Sequence, residues 1–211
     1  MTRTEQEMRF GVFGGTFDPI HIGHLIMAEL AREMANLSRV MFVPAGQPWL
    51  KSDRAVSSAA QRVEMVRIAT ESNACFGVST VDVERPGPSY TVDTIEALRS
   101  QWGQRSHLFV MLGVDAMLSL PEWKDPNRLV RECEFVVLPR CGVSRDELGR
   151  LEADIPAITD RLVWLPVPEI GISSTDIRDR VSRGLSVRYL VPEGVEAYIR
   201  EQGLYRRRQG G

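Results

Sequence analysis

Short apolar runs alternate with amphipathic stretches along most of this chain, and no other feature limits its fold as tightly. Residues 8–13 form an apolar run that breaks at Gly14 and Gly15, as a buried strand entering a tight loop does. From 22 to 36, Leu25, Ile26, Leu30 and Met34 recur near helical spacing with Glu29, Arg32 and Glu33 between them, which predicts an amphipathic helix. The pattern repeats as a strand at 40–43, a helix at 59–71, a strand at 76–83 and a helix at 92–102. Residues 108–112 and 135–138 are runs of the kind buried on both faces, and 162–165 is a weaker sixth. Helices at 146–157, 175–183 and 195–201 complete the reading.

Strands and helices that take turns are most economically folded as a parallel sheet covered on both sides. The expectation is an α/β, Rossmann-like doubly wound parallel sheet. With 211 residues, no Ser/Gly/Pro-rich linker and no internal repeat, one domain is expected over 1–211. Within it, 8–170 would hold the sheet core, 171–205 a small C-terminal helical part, and 206–211 a frayed tail.

Composition excludes several classes of function. The 26 basic and 28 acidic residues leave a net charge of -2, which gives no general footprint for nucleic acid. The one basic run, Arg206 to Arg208, is read as solvated tail. No window approaches the roughly 18 consecutive apolar residues of a membrane span. The polar first nine residues lack the apolar core of a secretory signal, so a cytoplasmic location is expected. Cys75, Cys133 and Cys141 are odd in number and show no CxxC spacing, which argues for idle thiols rather than disulfides or zinc. Trp49, Trp102 and Trp164 are taken as packing residues.

In open α/β sheets, ligands bind beyond the carboxyl ends of the strands, so the loop after the first strand is the first place to search. It reads Gly14-Gly15-Thr16-Phe17-Asp18-Pro19-Ile20-His21-Ile22-Gly23-His24. Two adjacent glycines can take positive φ and let a ligand approach, and a helix N-terminus presents N–H groups to an anion. Neither the G-x-G-x-x-G fingerprint nor a P-loop is present. His21 and His24, three apart at the helix start, fall on one face and can point to the same phosphate; alone, such a pair is more often an ordinary helix-start feature.

Late in the chain, Gly171-Ile172-Ser173-Ser174-Thr175-Asp176-Ile177-Arg178 opens another amphipathic helix. Ser and Thr there are sufficiently explained as caps. The same turn also offers hydroxyls and helix N–H groups to an anion, with Arg178 one turn later able to grip phosphate oxygens.

Taken together, Gly-Gly-x-Phe-Asp-Pro followed by His-Ile-Gly-His resembles the defining motif of the nucleotidylyltransferase superfamily, and Ile-Ser-Ser-Thr-x-Ile-Arg its second motif. The HxGH element is also similar to that of class I aminoacyl-tRNA synthetases. The resemblance implies that His21 and His24 contact ATP phosphates, with Gly14, Gly15, Thr16 and Phe17 beside the nucleotide. It further implies that Ile172, Ser173, Ser174, Thr175 and Arg178 bind the β and γ phosphates.

Three intermediate strings resemble the bacterial nicotinate-nucleotide adenylyltransferases: Val43 to Lys51 (VPAGQPWLK), Glu84 to Thr94 (ERPGPSYTVDT), and Met111 to Asp115 (MLGVD) followed by Trp123. Where many members of that family carry His directly before the lysine, Trp49 and Leu50 stand ahead of Lys51. The resemblance implies transfer of AMP from ATP to nicotinate mononucleotide with release of pyrophosphate. Lys51 would reach the substrate phosphate, the pyridine ring would stack on Trp123, and its carboxylate would lie against the backbone near Tyr90 and Thr91. Asp115, after a strand and Gly113, would hold a ribose hydroxyl.

The attacking phosphate is already ionised near neutral pH, because the second pKa of such an ester is about 6. No strong general base is needed, and catalysis rests on alignment and charge neutralisation by His21, His24, Lys51, Arg178 and Mg²⁺ carried in on ATP. No carboxylate cluster has the spacing of a dedicated metal cage. Three alternatives stay open on the residues alone: an adenylyltransferase for nicotinamide mononucleotide or phosphopantetheine, a nucleotide sensor without turnover, and a synthetase fragment. A homo-oligomer is possible.

Overall fold

A computed structural model describes residues 8–48, 56–138, 145–166, 168 and 170–206 of the chain. Its centre is one sheet of six parallel strands in the order β3-β2-β1-β4-β5-β6. These are β1 (Arg9–Gly15), β2 (Arg39–Pro44), β3 (Phe76–Val78), β4 (His107–Gly113), β5 (Glu134–Leu138) and β6 (Leu162–Trp164). β1 and β4 are neighbours, with Phe10 opposite Leu108 and Val12 opposite Val110. Successive strands step outward from that pair in opposite directions, so the order reverses between β1 and β4.

Nine α-helices are described: α1 (Ile22–Met34), α2 (Ala59–Thr70), α3 (Val81–Glu84), α4 (Thr91–Trp102), α5 (Val114–Leu118), α6 (Pro126–Glu132), α7 (Arg145–Asp154), α8 (Ser174–Ser182) and α9 (Glu193–Glu201). Side chains alternate across each strand, and the core divides accordingly. Phe13, Phe109 and Val136 pack on one face with Ala28 and Ala31 of α1, Met65 of α2 and Val195 of α9. Val12, Val110 and Phe135 pack on the other with Ile95 of α4 and Leu129 of α6. The parallel, doubly covered sheet expected from the alternation is the one observed. None of the described helices is long and apolar enough to cross a membrane.

Local chemistry sets the helix ends. Ser58 caps α2 in a reciprocal box with Gln61: its Oγ accepts the Gln61 N–H at 3.3 Å, and its own N–H donates to Gln61 Oε1 at 3.1 Å. Pro126 opens α6, where the missing N–H has no intrahelical partner to lose.

The structure departs from the sequence expectation in four places. The strand expected over 76–83 ends at Val78, and α3 follows at once. The Ser79 hydroxyl accepts the Val81 N–H and the Thr80 hydroxyl donates to Glu84, so both polar side chains favour a turn over extended pairing. α5 and α6, too short to show periodicity, were not anticipated. α7 stops at Asp154, short of 157. Trp102 packs on Phe10 with ring centroids 4.5 Å apart, as a packing residue does. Trp164, by contrast, is 41% exposed at the end of the edge strand β6; Trp49 lies outside the described residues.

Phe135 is fully buried on a strand flanked by β4 and β6. Phe135→Ala should cost about 3–5 kcal/mol through lost burial and an unfilled cavity, read as a lower urea midpoint with an unchanged denaturant slope.

Candidate active site

The point where strand order reverses is where a parallel sheet opens a crevice, because the loops leaving its two central strands turn to opposite faces. At the carboxyl ends of β1 and β4 lies a cavity of about 330 Å³. Gly14, Gly15 and Thr16 of the first loop line it with Gly113, Tyr90, Thr91 and Trp123. All seven carry roles that the family resemblance implies for ATP or the mononucleotide or flank such a residue, and Thr16 stands at the loop's turn into the cavity.

The two glycines act differently from the expectation. Neither takes positive φ, because both still belong to β1 and stand in register with Val43 and Pro44 of β2. A side chain at Gly15 would meet the Phe17 ring, since a Cβ there would stand 2.9 Å from Phe17 Cζ, whereas the Cβ position of Gly14 is open space. The left-handed residue of the loop is Phe17, at φ 49°, and its ring packs edge-on against Phe13 and His24.

His21 and His24 fall on one face as expected, their rings stacked with centroids 3.6 Å apart. The His21 N–H donates to His24 Nδ1 at 3.2 Å, which places the proton of the neutral His24 ring on Nε2. His21 is buried and His24 half-buried.

The second motif lands on the first. Ser174 Oγ donates to the Pro19 carbonyl at 2.9 Å, and Arg178 Nη1 donates to the Asp18 carbonyl at 2.6 Å. The N-termini of α1 and α8 are therefore held together although some 155 residues separate them. Ser173 serves as the N-cap of α8, accepting the Asp176 N–H at 3.1 Å, and Thr175 accepts from Arg178. Ile172 packs against the core.

Beneath this junction sits Arg62, 1% exposed. Its Nε donates to the Ser57 carbonyl, its Nη1 to Thr16 and its Nη2 to Gly46, at 3.0, 2.9 and 3.1 Å. One guanidinium thus ties the first loop, the loop after β2 and the entry to α2. Burial lowers its pKa, while the nearby Asp18 carboxylate opposes that shift. Asp18, 2% exposed, accepts the Tyr205 hydroxyl at 2.7 Å. Burial and the adjacent Asp18 charge together push that phenol well above its ordinary range.

The far wall of the cavity is built from α3, α4 and the loop after β2. Gly46 is obligatory there, since a Cβ would overlap the Asp82 carbonyl oxygen; its N–H donates to Ser89 Oγ at 2.8 Å. Asp82 Oδ1 accepts from Thr94 at 2.6 Å and Arg85 at 2.9 Å, with burial raising its pKa. Trp123 is half-buried and donates from Nε1 to Ser119 Oγ at 3.2 Å. Asp115 is exposed in the first turn of α5 and does not line this cavity. Lys51 and its neighbours Trp49 and Leu50 lie outside the described residues. Among the described residues no three His, Cys, Asp or Glu side chains are grouped as metal ligands.

Comparison with known proteins identifies the family. The Cytidylyltransferase-like family model matches residues 12–180. A protein of Thermomicrobium roseum named "Probable nicotinate-nucleotide adenylyltransferase" is 47% identical over 198 residues, spanning 94% of this chain and 92% of its own. One of the same name from Dehalococcoides mccartyi (strain ATCC BAA-2266 / KCTC 15142 / 195) is 39% identical over 200 residues, covering 95% and 98%. The chain belongs to the nicotinate-nucleotide adenylyltransferase family. Its fold matches the Plasmodium falciparum nicotinic acid mononucleotide adenylyltransferase complexed with NaAD, at a TM-score of 0.75, 17% identity, and coverage of 94% and 97%.

Three residues at this adenylyltransferase-family site were not singled out from the sequence. Arg62 carried a usable signal, since it stands on the same helical stripe as Met65, Val66 and Ala69, where a charge is out of place unless bonded. Tyr205 and Lys124 carried none, because their partners lie 187 and 31 residues away. Replacing Arg62 by Met would strand three carbonyls and leave Asp18 uncompensated. Arg62→Met should therefore lose about 3 kcal/mol of stability, measured by equilibrium denaturation against the wild-type chain.

Proposed function

We propose that this chain transfers the AMP moiety of MgATP to nicotinate mononucleotide, giving nicotinate adenine dinucleotide and pyrophosphate for NAD biosynthesis. The observation that carries the reading is the junction of the two motifs. Ser174 and Arg178 of α8 bond the carbonyls of Pro19 and Asp18, so two helix N-termini are held together by the loop whose Gly14, Gly15 and Thr16 line the cavity walled by Tyr90, Thr91 and Trp123.

In the proposed reaction a phosphate oxygen of the mononucleotide forms a bond to the ATP α-phosphorus while the bond to the bridging oxygen of the β-phosphate breaks. The electron pair leaves with pyrophosphate. The attacking oxygen already carries charge near neutral pH, so the protein's task is to align two polyanions and screen them.

His21 and His24 would donate to the α-phosphate, and the Nε2–H tautomer of His24 gives that ring a donor. Ile172, Ser173, Ser174, Thr175 and Arg178 would surround the outer phosphates, with Gly14 to Phe17 and Gly113 against the nucleotide. Lys51 would neutralise the mononucleotide phosphate, and Trp123 would stack on the pyridine ring above Tyr90 and Thr91. Asp115 would hold a ribose hydroxyl from the rim of the site. Mg²⁺ would arrive with ATP and screen its phosphates. The relatives at 39% and 47% identity, each named "Probable nicotinate-nucleotide adenylyltransferase", support this acceptor over phosphopantetheine.

Two variants test the reading by pyrophosphate release. His24→Ala should lower kcat at least about tenfold with the fold intact by circular dichroism; near-normal turnover in a folded variant removes the phosphate role. Trp123→Ala should chiefly raise KM for the mononucleotide, and a selective loss of ATP binding instead would overturn the stacking assignment.

A further inference from the structure

The ring end of the cavity carries a charge pair that the proposed mechanism does not use. Lys124, directly after Trp123, lines the cavity and donates through Nζ to Asp93 Oδ1 and Oδ2 at 3.0 and 2.8 Å. The same Nζ stands 4.9 Å from the centroid of the Tyr90 ring. Asp93 belongs to the first turn of α4, the turn against which a ring carboxylate would sit. The acid that does line the wall, Asp82, is buried and compensated internally by Arg85 and Thr94. Asp93 is compensated instead by a lysine that itself faces the cavity.

We infer that Lys124 and Asp93 form a charge-setting pair that selects the acid form of the mononucleotide over the amide. The inference rests on the reading that this cavity takes the pyridine ring. With Lys124 present, the negative charge of Asp93 is cancelled on the side from which an anionic substituent approaches. Without it, the uncancelled charge of Asp93, between the cavity-lining Thr91 and Thr94, would repel an incoming carboxylate through a partly buried wall, where charges interact more strongly than in bulk water. A nicotinamide ring, whose substituent is uncharged, would feel little difference.

The neighbouring seam supplies an internal control. Arg128 of α6 pairs with Glu96 of α4 at 2.9 Å, bridging the same two segments without lining the cavity. If the Lys124 pair merely braced the Trp123 loop, breaking either bridge would act alike, and removing either partner of one pair would act in the same direction. Charge selection predicts opposite signs.

The experiment compares kcat/KM for nicotinate and nicotinamide mononucleotide in the full chain and in Lys124→Met, Asp93→Asn and Arg128→Met. Lys124→Met should lower the acid-to-amide ratio about tenfold, mainly through KM for the acid. Asp93→Asn should raise the ratio, and Arg128→Met should leave it within about twofold. A ratio unmoved by Lys124→Met, shifted the same way by Lys124→Met and Asp93→Asn, or shifted equally by Arg128→Met overturns the inference while the adenylyltransferase reading stands. Wild-type chain that turns over neither mononucleotide sinks that reading and the inference with it.

Discussion

Asp18 is the residue on which three distant parts of this chain settle. Its carbonyl accepts Arg178, 160 residues downstream, and its carboxylate accepts the Tyr205 hydroxyl, 187 residues downstream. The Ser57 N–H closes on the same carboxylate from the entry to α2, at 3.4 Å. A buried carboxylate is costly unless hydrogen-bonded and offset by charge. Here the hydroxyl and the N–H supply the first, and Arg62 supplies the second. Satisfying the carboxylate draws together the first loop, the α2 entry and the C-terminal segment, while the Asp18 carbonyl holds the α8 turn to the same residue.

That arrangement explains why the first loop needs no glycine in a left-handed conformation. The strand simply runs on through Gly14 and Gly15, and the reversal is handed to Phe17, whose ring fills the space a Gly15 side chain would take. Gly14 is left with open space on its cavity side. The glycine pair is thus a steric device on two fronts: Gly15 makes room for an aromatic that braces His24, and Gly14 makes room for whatever enters the cavity. Backbone carbonyls of the loop are engaged by Arg62, Arg178 and Ser174, so these acceptors are paired within the protein.

The layered sheet was legible because alternating period and burial act over whole segments, so errors at single residues do not change the answer. Its ends were less so. Ser79 and Thr80 look compatible with a strand until their hydroxyls are seen to close a turn, a choice between two local options of similar energy. α5 and α6 span five and seven residues, too few for a helical stripe, although Pro126 marked the start of the second. At the site, the two motif strings stood out through their resemblance to a known family, and the structure brings them together through Ser174 and Arg178. The supporting shell could not be read, apart from the misplaced charge of Arg62 on an apolar stripe. Tyr205 acquires its meaning only when α9 is folded back to bring the chain end to Asp18, and Lys124 only when Asp93 is placed beside it.

The two ends of the cavity are consequently built on different physical terms. Around the first loop, the buried Arg62 and the part-buried Ser174 and Arg178 bond backbone carbonyls, so substituting Arg62 unsettles the fold itself. At the end proposed for the ring, the cavity-lining Lys124 pairs with Asp93, the partners being 49% and 26% exposed, and exposed pairs contribute little to stability. Field strength at a half-buried wall nevertheless depends on whether that pair is intact, because neighbouring protein excludes part of the screening water. On the proposed reading, a chain built this way could change which ring substituent it accepts by altering one or two surface charges while Arg62 and the first loop stay fixed. The proposed roles make selectivity and catalysis separable in this fold, because the first would be carried by side chains that the core does not need.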